Sequence, residues 1–270
     1  MKLCRFQPLL FEWNDLIGVV PPVRPEPRYG VVDGETVREL AGDLFGMWYH
    51  TDRYWRLDHI KLLPPVVPSK IVCVGRNYTE HAAELGNAVP KEPLLFLKPP
   101  SAIIGAGEPV VMPPVSKRVD HEAELGVVIG KTCAHLSDDD DAAAVILGYT
   151  CVNDITARDL QKADVQFTRA KGFDTFCPLG PVVETELDLG KATVECLVNG
   201  KRRQFAPVRD MIFDAPYLVR YISRIMTLHP GDIIATGTPA GVSPLAAGDL
   251  VEVIVSGVGA LSNPVVARAE

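Results

Sequence analysis

Three acids alternate at the start of an apolar run. Asp120, Glu122 and Glu124 precede Leu125–Ile129 in "DHEAELGVVIG". In a strand, residues i and i+2 face one side, so these carboxylates share a face. Their mutual repulsion grows as water is excluded. Solvent at an exposed edge, an Arg or Lys partner, or a divalent cation would each relieve it. Oxygen ligands suit Mg²⁺, Mn²⁺ or Ca²⁺. Asp154 ends a second apolar stretch, "YTCVND", and reads either as a third carboxylate of the same set or as the N-cap of a helix over "ITARDLQ". Mg²⁺ sites typically use few carboxylates and keep waters that substrate oxygens can replace. No Cys/His spacing suggests zinc.

Other residues carry chemistry of a different kind. His81 and Glu84 are three apart in "NYTEHAAELG", which puts them on one helix face. A carboxylate beside an imidazole fixes its tautomer and raises its basicity, as a general base for water requires, although the same spacing also decorates helix surfaces. Lys171, in "RAKGFDTFCPLGP", is either a solvated lysine or a cation facing the acids. Thr238, between Gly237 and Pro239, belongs either to an ordinary turn or to a hydroxyl and N–H cradle for a carboxylate.

The elements that must position these residues are mostly strands. "KIVCVG", "PLLFLKP", "AIIG", "PVVMP", "ELGVVIG", "YTCVNDI", "GPVVE", "TVECLVNGK", "DIIATG" and "DLVEVIVSGVG" are short apolar runs between Gly and Pro. Asn-Gly in "VNGK" and Asp-Gly in "RYGVVDGETVREL" mark hairpins. Helices are expected over "NYTEHAAELG", stopping at Gly86; over "SDDDDAAAVILGY", starting at Ser137; and over "FDAPYLVRYISRIMTL", starting at Asp214 with Pro216 in its first turn. They do not alternate regularly with the strands. The fold class is therefore a β-rich α+β architecture, neither doubly wound nor a TIM barrel. Residues 1–65, which hold Trp13, Trp48, Trp55 and the Pro-rich "PPVRPEPRYG", read as a small N-terminal domain. "LLPPVVPSK" is the linker, and residues 66–270 form the main domain.

Composition excludes several classes. The 270 residues are 47% apolar, enough for a sizeable core, and carry a net charge of −7 without a long Lys/Arg run, which disfavours nucleic acid as a partner. No stretch is long and apolar enough for a membrane span, and no secretory signal is apparent, so a cytoplasmic location is expected. The six cysteines are scattered without a C-x-x-C and read as buried, reduced thiols.

Seven segments occur in an order that resembles the fumarylacetoacetate hydrolase family: "VGRNYTEHAAELG", "PLLFLKPPSAIIG", "VDHEAELGVVIG", "GYTCVNDITARDLQ", "RAKGFDTFCPLGP", "LHPGDIIATGTPAGV" and "LAAGDLVEVIVSGVGALSNPV", over residues 70–266. The first 65 residues resemble, more loosely, the small β-containing domain of bacterial-type members. The resemblance implies a mixed β-sandwich roll and a homodimer. It implies Glu122, Glu124 and Asp154 as ligands of Mg²⁺ or Mn²⁺, sometimes Ca²⁺, with Asp120 outside the ligand set. It implies His81 and Glu84 as the pair that activates water or moves protons, and Lys171 as the lysine that holds or polarises substrate. Arg76, Gln161 and Thr238 would grip carboxylate or carbonyl groups. The implied activity is hydrolysis of the C–C bond of 2,4-dioxo acids of the acylpyruvate or fumarylpyruvate type, through a metal-stabilised enolate. The alternative is isomerisation or decarboxylation of 2-hydroxyhepta-2,4-diene-1,7-dioate-type or oxaloacetate-type acids in aromatic catabolism. A non-catalytic binding protein would be expected to lack His81, Glu84 or Lys171; all three are present.

Overall fold

Short apolar runs bounded by Gly and Pro become strands, and most of them join one sheet. A computed structural model describes residues 1–9, 26–84, 86 and 88–268. The first strands are β1 (Lys2–Pro8), β2 (Arg28–Asp33), β3 (Thr36–Gly42), β4 (Trp48–Arg56), β5 (Ile60–Leu63), β6 (Ile71–Gly75), β7 (Leu94–Lys98), β8 (Ile103–Ile104) and β9 (Val110–Met112). They continue with β10 (Val119–Asp120), β11 (Ala123–Ile129), β12 (Ile146–Asn153), β13 (Thr156–Ala157), β14 (Cys177–Glu184), β15 (Thr193–Val198), β16 (Lys201–Pro207), β17 (Ile233–Ala235), β18 (Leu250–Val255) and β19 (Gly259–Ala267). Among the described residues four α-helices accompany them: α1 (Thr79–Glu84), α2 (Arg158–Ala163), α3 (Thr168–Lys171) and α4 (Ala215–Ser223).

A twelve-stranded sheet runs β4-β3-β2-β1-β14-β12-β11-β17-β6-β7, with β5 on β1 and β8 on β14. β11 is central and buried at every residue, which explains its unbroken apolar tail. It pairs antiparallel with β12 and β17. A five-stranded sheet, β16-β15-β18-β19-β9, carries the alternating pattern of strands with one covered face. One hydrophobic cluster draws on both sheets, including Leu125 and Val127 from the first and Val194, Val253 and Leu261 from the second. The result is the strand-rich, layered fold expected. β1 pairs with β14, so the N-terminal strands extend the main sheet. Both hairpins occur as expected, β2–β3 around Gly34 and β15–β16 around Asn199-Gly200. β4 and β19 went unread because β4 is mostly polar and half-exposed, and β19 carries Pro264. Trp13, and the Pro-rich piece as far as Pro25, lie outside the described residues.

Two helix expectations need correction. Residues 137–149 do not form a helix. Ser137 and Asp140 close a local turn, one 3₁₀ turn follows over Ala142–Val145, and the chain enters β12 at Ile146. Asp141 caps only that short turn, and pairing with β11 claims the apolar residues after it. α4 begins as expected, with Asp214 accepting from the Tyr217 N–H and Pro216 in the first turn. It stops at Ser223 because the chain soon makes a β-bridge, Leu228 exchanging backbone hydrogen bonds with Cys133. α1 ends near Gly86, whose φ of 68° is left-handed, although Leu85 lies outside the described residues. All six cysteines are free and buried, and no described helix is long and apolar enough to cross a membrane.

Candidate functional site

The register of β11 against β12 assembles the acids. Ala123 lies opposite Asn153, so Glu122 and Glu124 flank the end of β12, where Asp154 follows. The Asp154 N–H donates to the Glu122 carbonyl at 2.9 Å, and the Glu122 N–H donates to Asn153 Oδ1 at 3.0 Å. One carboxylate oxygen from each of Glu122, Glu124 and Asp154 lies within 4.8 Å of the others, and all three residues are buried. Asp154 is therefore not a helix cap. The residue before α2 is Ala157, with no side-chain cap bond. Solvent does not relieve the repulsion either.

Cations do part of that work. Lys171, at the end of α3, donates to Glu122 Oε2 at 2.7 Å and to Asp154 Oδ2 at 2.5 Å, with its side chain 2% exposed. Arg158 donates to Glu122 Oε1, and through Nε to Asp120 Oδ2 at 3.0 Å. Asp120 also takes two bonds from Arg118 and stays outside the triad. Lys98, from the end of β7, holds Asp154 Oδ1 at 2.5 Å. Burial alone would raise the Glu122 carboxyl, but the charges of Lys171 and Arg158 overcome it and hold the group well below the usual range. Burial would lower the Lys171 ammonium, yet Asp154 and Glu122 push it above its ordinary value.

Glu124 is different. Among the described residues no Lys, Arg or His nitrogen comes within 4.0 Å of its carboxylate, and Gly237 N–H donates to Oε2 at 2.8 Å. Burial, then Asp154 and Glu122, drive its carboxyl well above the usual range. Gly237 is needed here. Its φ is 97°, and a Cβ would lie 2.7 Å from Cβ of Asn77. Three buried carboxylates, one of them without a cationic partner, form a hard-oxygen donor set that fits a divalent cation.

The triad opens on a cavity of about 250 Å³. His81, Arg76, Gln161, Lys171 and Thr238 all reach its wall, opposed by the apolar Leu94, Phe96 and Phe167. His81 Nδ1 lies 3.2 Å from Glu84 Oε2, and Glu84 also accepts from Gly241 N–H, tying α1 to the loop after Thr238. Lys171 is not solvated, and Thr238 is no open turn. The Thr238 hydroxyl donates to the Ala123 carbonyl and accepts from Gln204, both within 2.8 Å, so its proton serves the protein. Gln161 accepts from Arg158 at 2.7 Å. Arg76 holds a left-handed backbone, φ 60°, unusual for a residue with a side chain.

Sequence reading missed Lys98, Arg158 and Gln204. Lysine closing the apolar run "LLFLK" and arginine three residues beyond "NDI" were odd enough to signal buried pairing. Gln204 accepts from the Ala123 N–H and contacts His121, bracing the start of β11 from the second sheet, and nothing local announces it.

The fold and site define a β-rich protein with three buried carboxylates, a donor set able to hold a cation, at the wall of a small cavity. Residues 70–266 match the family Fumarylacetoacetate (FAA) hydrolase C-terminal, and residues 24–65 match Rv2993c-like, N-terminal. The chain belongs to the fumarylacetoacetate hydrolase family. It is 42% identical, over 98% of its length and 92% of the relative's, to oxaloacetate tautomerase YisK of Bacillus subtilis. The structure of 2-hydroxyhepta-2,4-diene-1,7-dioate isomerase from Mycobacterium marinum superimposes with a TM-score of 0.86 at 40% identity, covering all of both chains. That of maleylpyruvate hydrolase from Sphingobium sp. SYK-6, in complex with manganese (II) ion and pyruvate, gives 0.78 at 32% identity, again over both whole chains.

Proposed function

We propose that this enzyme acts on 2-oxo acids by moving a proton at the carbon next to the 2-oxo group, using Glu122, Glu124 and Asp154 to hold a divalent cation. The observation that carries this reading is the single cavity shared by the unpaired Glu124, the His81 imidazole and the Lys171 ammonium. Mg²⁺ or Mn²⁺ would supply Lewis acidity toward the substrate's carboxylate and 2-oxo oxygens. Lys171 supports negative charge developing on oxygen, and Arg158 with Gln161 presents a pre-bonded polar wall. His81, held by Glu84, takes up or delivers the proton. Arg76 and Lys162 line the cavity without an acidic partner within 4.0 Å among the described residues, and so offer attraction to a dianionic acid in a protein of net charge −7.

Three outcomes share this machinery. Proton transfer alone gives tautomerisation or isomerisation, as the names of YisK and the M. marinum relative suggest. Delivery of a His81-activated water to the distal carbonyl of a 2,4-dioxo acid gives C–C hydrolysis, in keeping with the maleylpyruvate hydrolase. The same site read as a decarboxylase would act on oxaloacetate-type acids. A panel separates them. Loss of acylpyruvate diketone absorbance with release of two acids marks hydrolysis. Enol–keto conversion or solvent deuterium uptake without cleavage marks proton transfer, and carbon dioxide release marks decarboxylation. No turnover in any assay with Mg²⁺ or Mn²⁺ would sink the reading. The working form is proposed to be a homodimer, which sedimentation would check.

A further inference from the structure

Of the three described cations bonded to Glu122 or Asp154, Lys98, Lys171 and Arg158, Lys98 alone does not reach the cavity wall. Its side chain is 0% exposed. The ammonium donates to Asp154 Oδ1 at 2.5 Å and to the Ile155 carbonyl at 3.0 Å, and lies 6.0 Å from the centre of the Phe176 ring. Lys171, which does line the cavity, takes the other oxygen, Oδ2. The Asp154 carboxylate is thus divided, one oxygen turned into the wall and one toward the cavity. The contact with Ile155 also sets the chain direction just after β12, where Ile155 N–H is bonded to the Phe176 carbonyl at 3.1 Å. Burying an ammonium is costly, and an apolar side chain ending β7 would avoid the cost. What Lys98 adds is a fixed carboxylate orientation and one positive charge behind the triad.

We propose that Lys98 is a positioning residue that confines Asp154 to one cavity-facing oxygen and, by its charge, moderates the triad's grip on a divalent cation, leaving that cation accessible to substrate oxygens. This rests on the triad being a cation site. Asp154 held at both oxygens cannot turn to embrace a cation with both. Three carboxylates with Lys98 behind them attract a cation less than they would without it.

The test uses full-length wild type, Lys98→Met and Lys98→Gln. Mn²⁺ binding is titrated without substrate by electron paramagnetic resonance, and turnover is measured at saturating Mn²⁺. Met removes charge and donor; Gln removes the charge but keeps an N–H for Asp154. Both variants are expected to bind Mn²⁺ about fivefold or more tightly, because a positive charge a few ångströms away is gone. kcat is expected to fall about tenfold or more in Lys98→Met and less in Lys98→Gln, because the latter keeps part of the carboxylate's support. A merely structural lysine would lower thermal stability and leave Mn²⁺ affinity unchanged or weaker, and that result in Lys98→Gln overturns the proposal even if Lys98→Met does not fold. Wild type that takes up no Mn²⁺ overturns the cation site and this inference together. Wild-type uptake with unaltered affinity in the variants overturns only the role of Lys98.

Discussion

The backbone N–H of Gly237 donates to Oε2 of Glu124 at 2.8 Å, while the neighbouring Glu122 is held by a lysine and an arginine. Two residues two apart on one chain thus have opposite electrostatic settings. Glu124→Gln should keep the Gly237 contact through its amide oxygen and remove the uncompensated charge. We expect Mn²⁺ affinity to weaken by about 100-fold or more, while the cation-free protein gains roughly 1–2 kcal/mol of stability. Unchanged turnover that EDTA does not abolish would refute the assignment of the triad.

His81 lines the cavity, while Glu84 braces it from outside. His81→Asn should lower kcat by about 10² to 10³ with Mn²⁺ affinity retained, as removal of a general acid–base does. Glu84→Gln should cost less, about tenfold, because the imidazole remains. Loss of Mn²⁺ binding in His81→Asn would show instead that His81 supports the cation.

Arg76 combines a strained backbone with a place on the cavity wall. A left-handed non-glycine residue costs about 1 kcal/mol, and such strain tends to collect at functional positions. Arg76→Gly should leave stability unchanged or raise it by up to about 1 kcal/mol, while raising KM for a 2-oxo acid about tenfold. Thermal melts and steady-state kinetics on one preparation check both halves. A destabilised variant with normal KM would contradict the argument.

Asp232 supplies a pH dependence away from the site. It is buried and accepts from Ser69 N–H and hydroxyl, Lys70 N–H and ammonium, and His229 N–H, pinning the start of β17 beside β6. Burial alone would raise its carboxyl, but the bonds from Lys70, Ser69 and His229 lower it below the ordinary carboxylate range. A depressed acid stabilises the fold above its unfolded-state pKa, and that stability is lost as pH falls through the folded-state value. Asp232→Asn should therefore cost about 2–3 kcal/mol at pH 7 and flatten the acid limb of a stability–pH curve below about pH 4. Parallel acid limbs for variant and wild type would disprove it.

Much of this was legible in the chain because the signals are local. Apolar runs cut by Gly and Pro gave the strands, Asp-Gly and Asn-Gly the hairpins, and Asp214 with Pro216 a helix start. The failure at 137–149 has a physical reason. Acids and alanines favour a helix locally, but the apolar residues after Val145 gain more by pairing with β11 in the buried sheet.

By itself, the sequence determined that Glu122 and Glu124 share a face and that His81 and Glu84 meet, because strand and helix periodicities are properties of a few consecutive residues. Residue spacing alone could not determine which acids stand together, a set implied only by the family resemblance, nor how each is balanced. That took the β11–β12 register, which brings Asp154 beside Glu122. It also took long-range packing, which buries Lys98, Lys171 and Arg158 against two of the three carboxylates and leaves Glu124 without a cationic side chain within 4.0 Å among the described residues. Charge compensation in a buried site depends on distance through space, and residues such as Lys98 and Asp154 stand 56 positions apart along the chain.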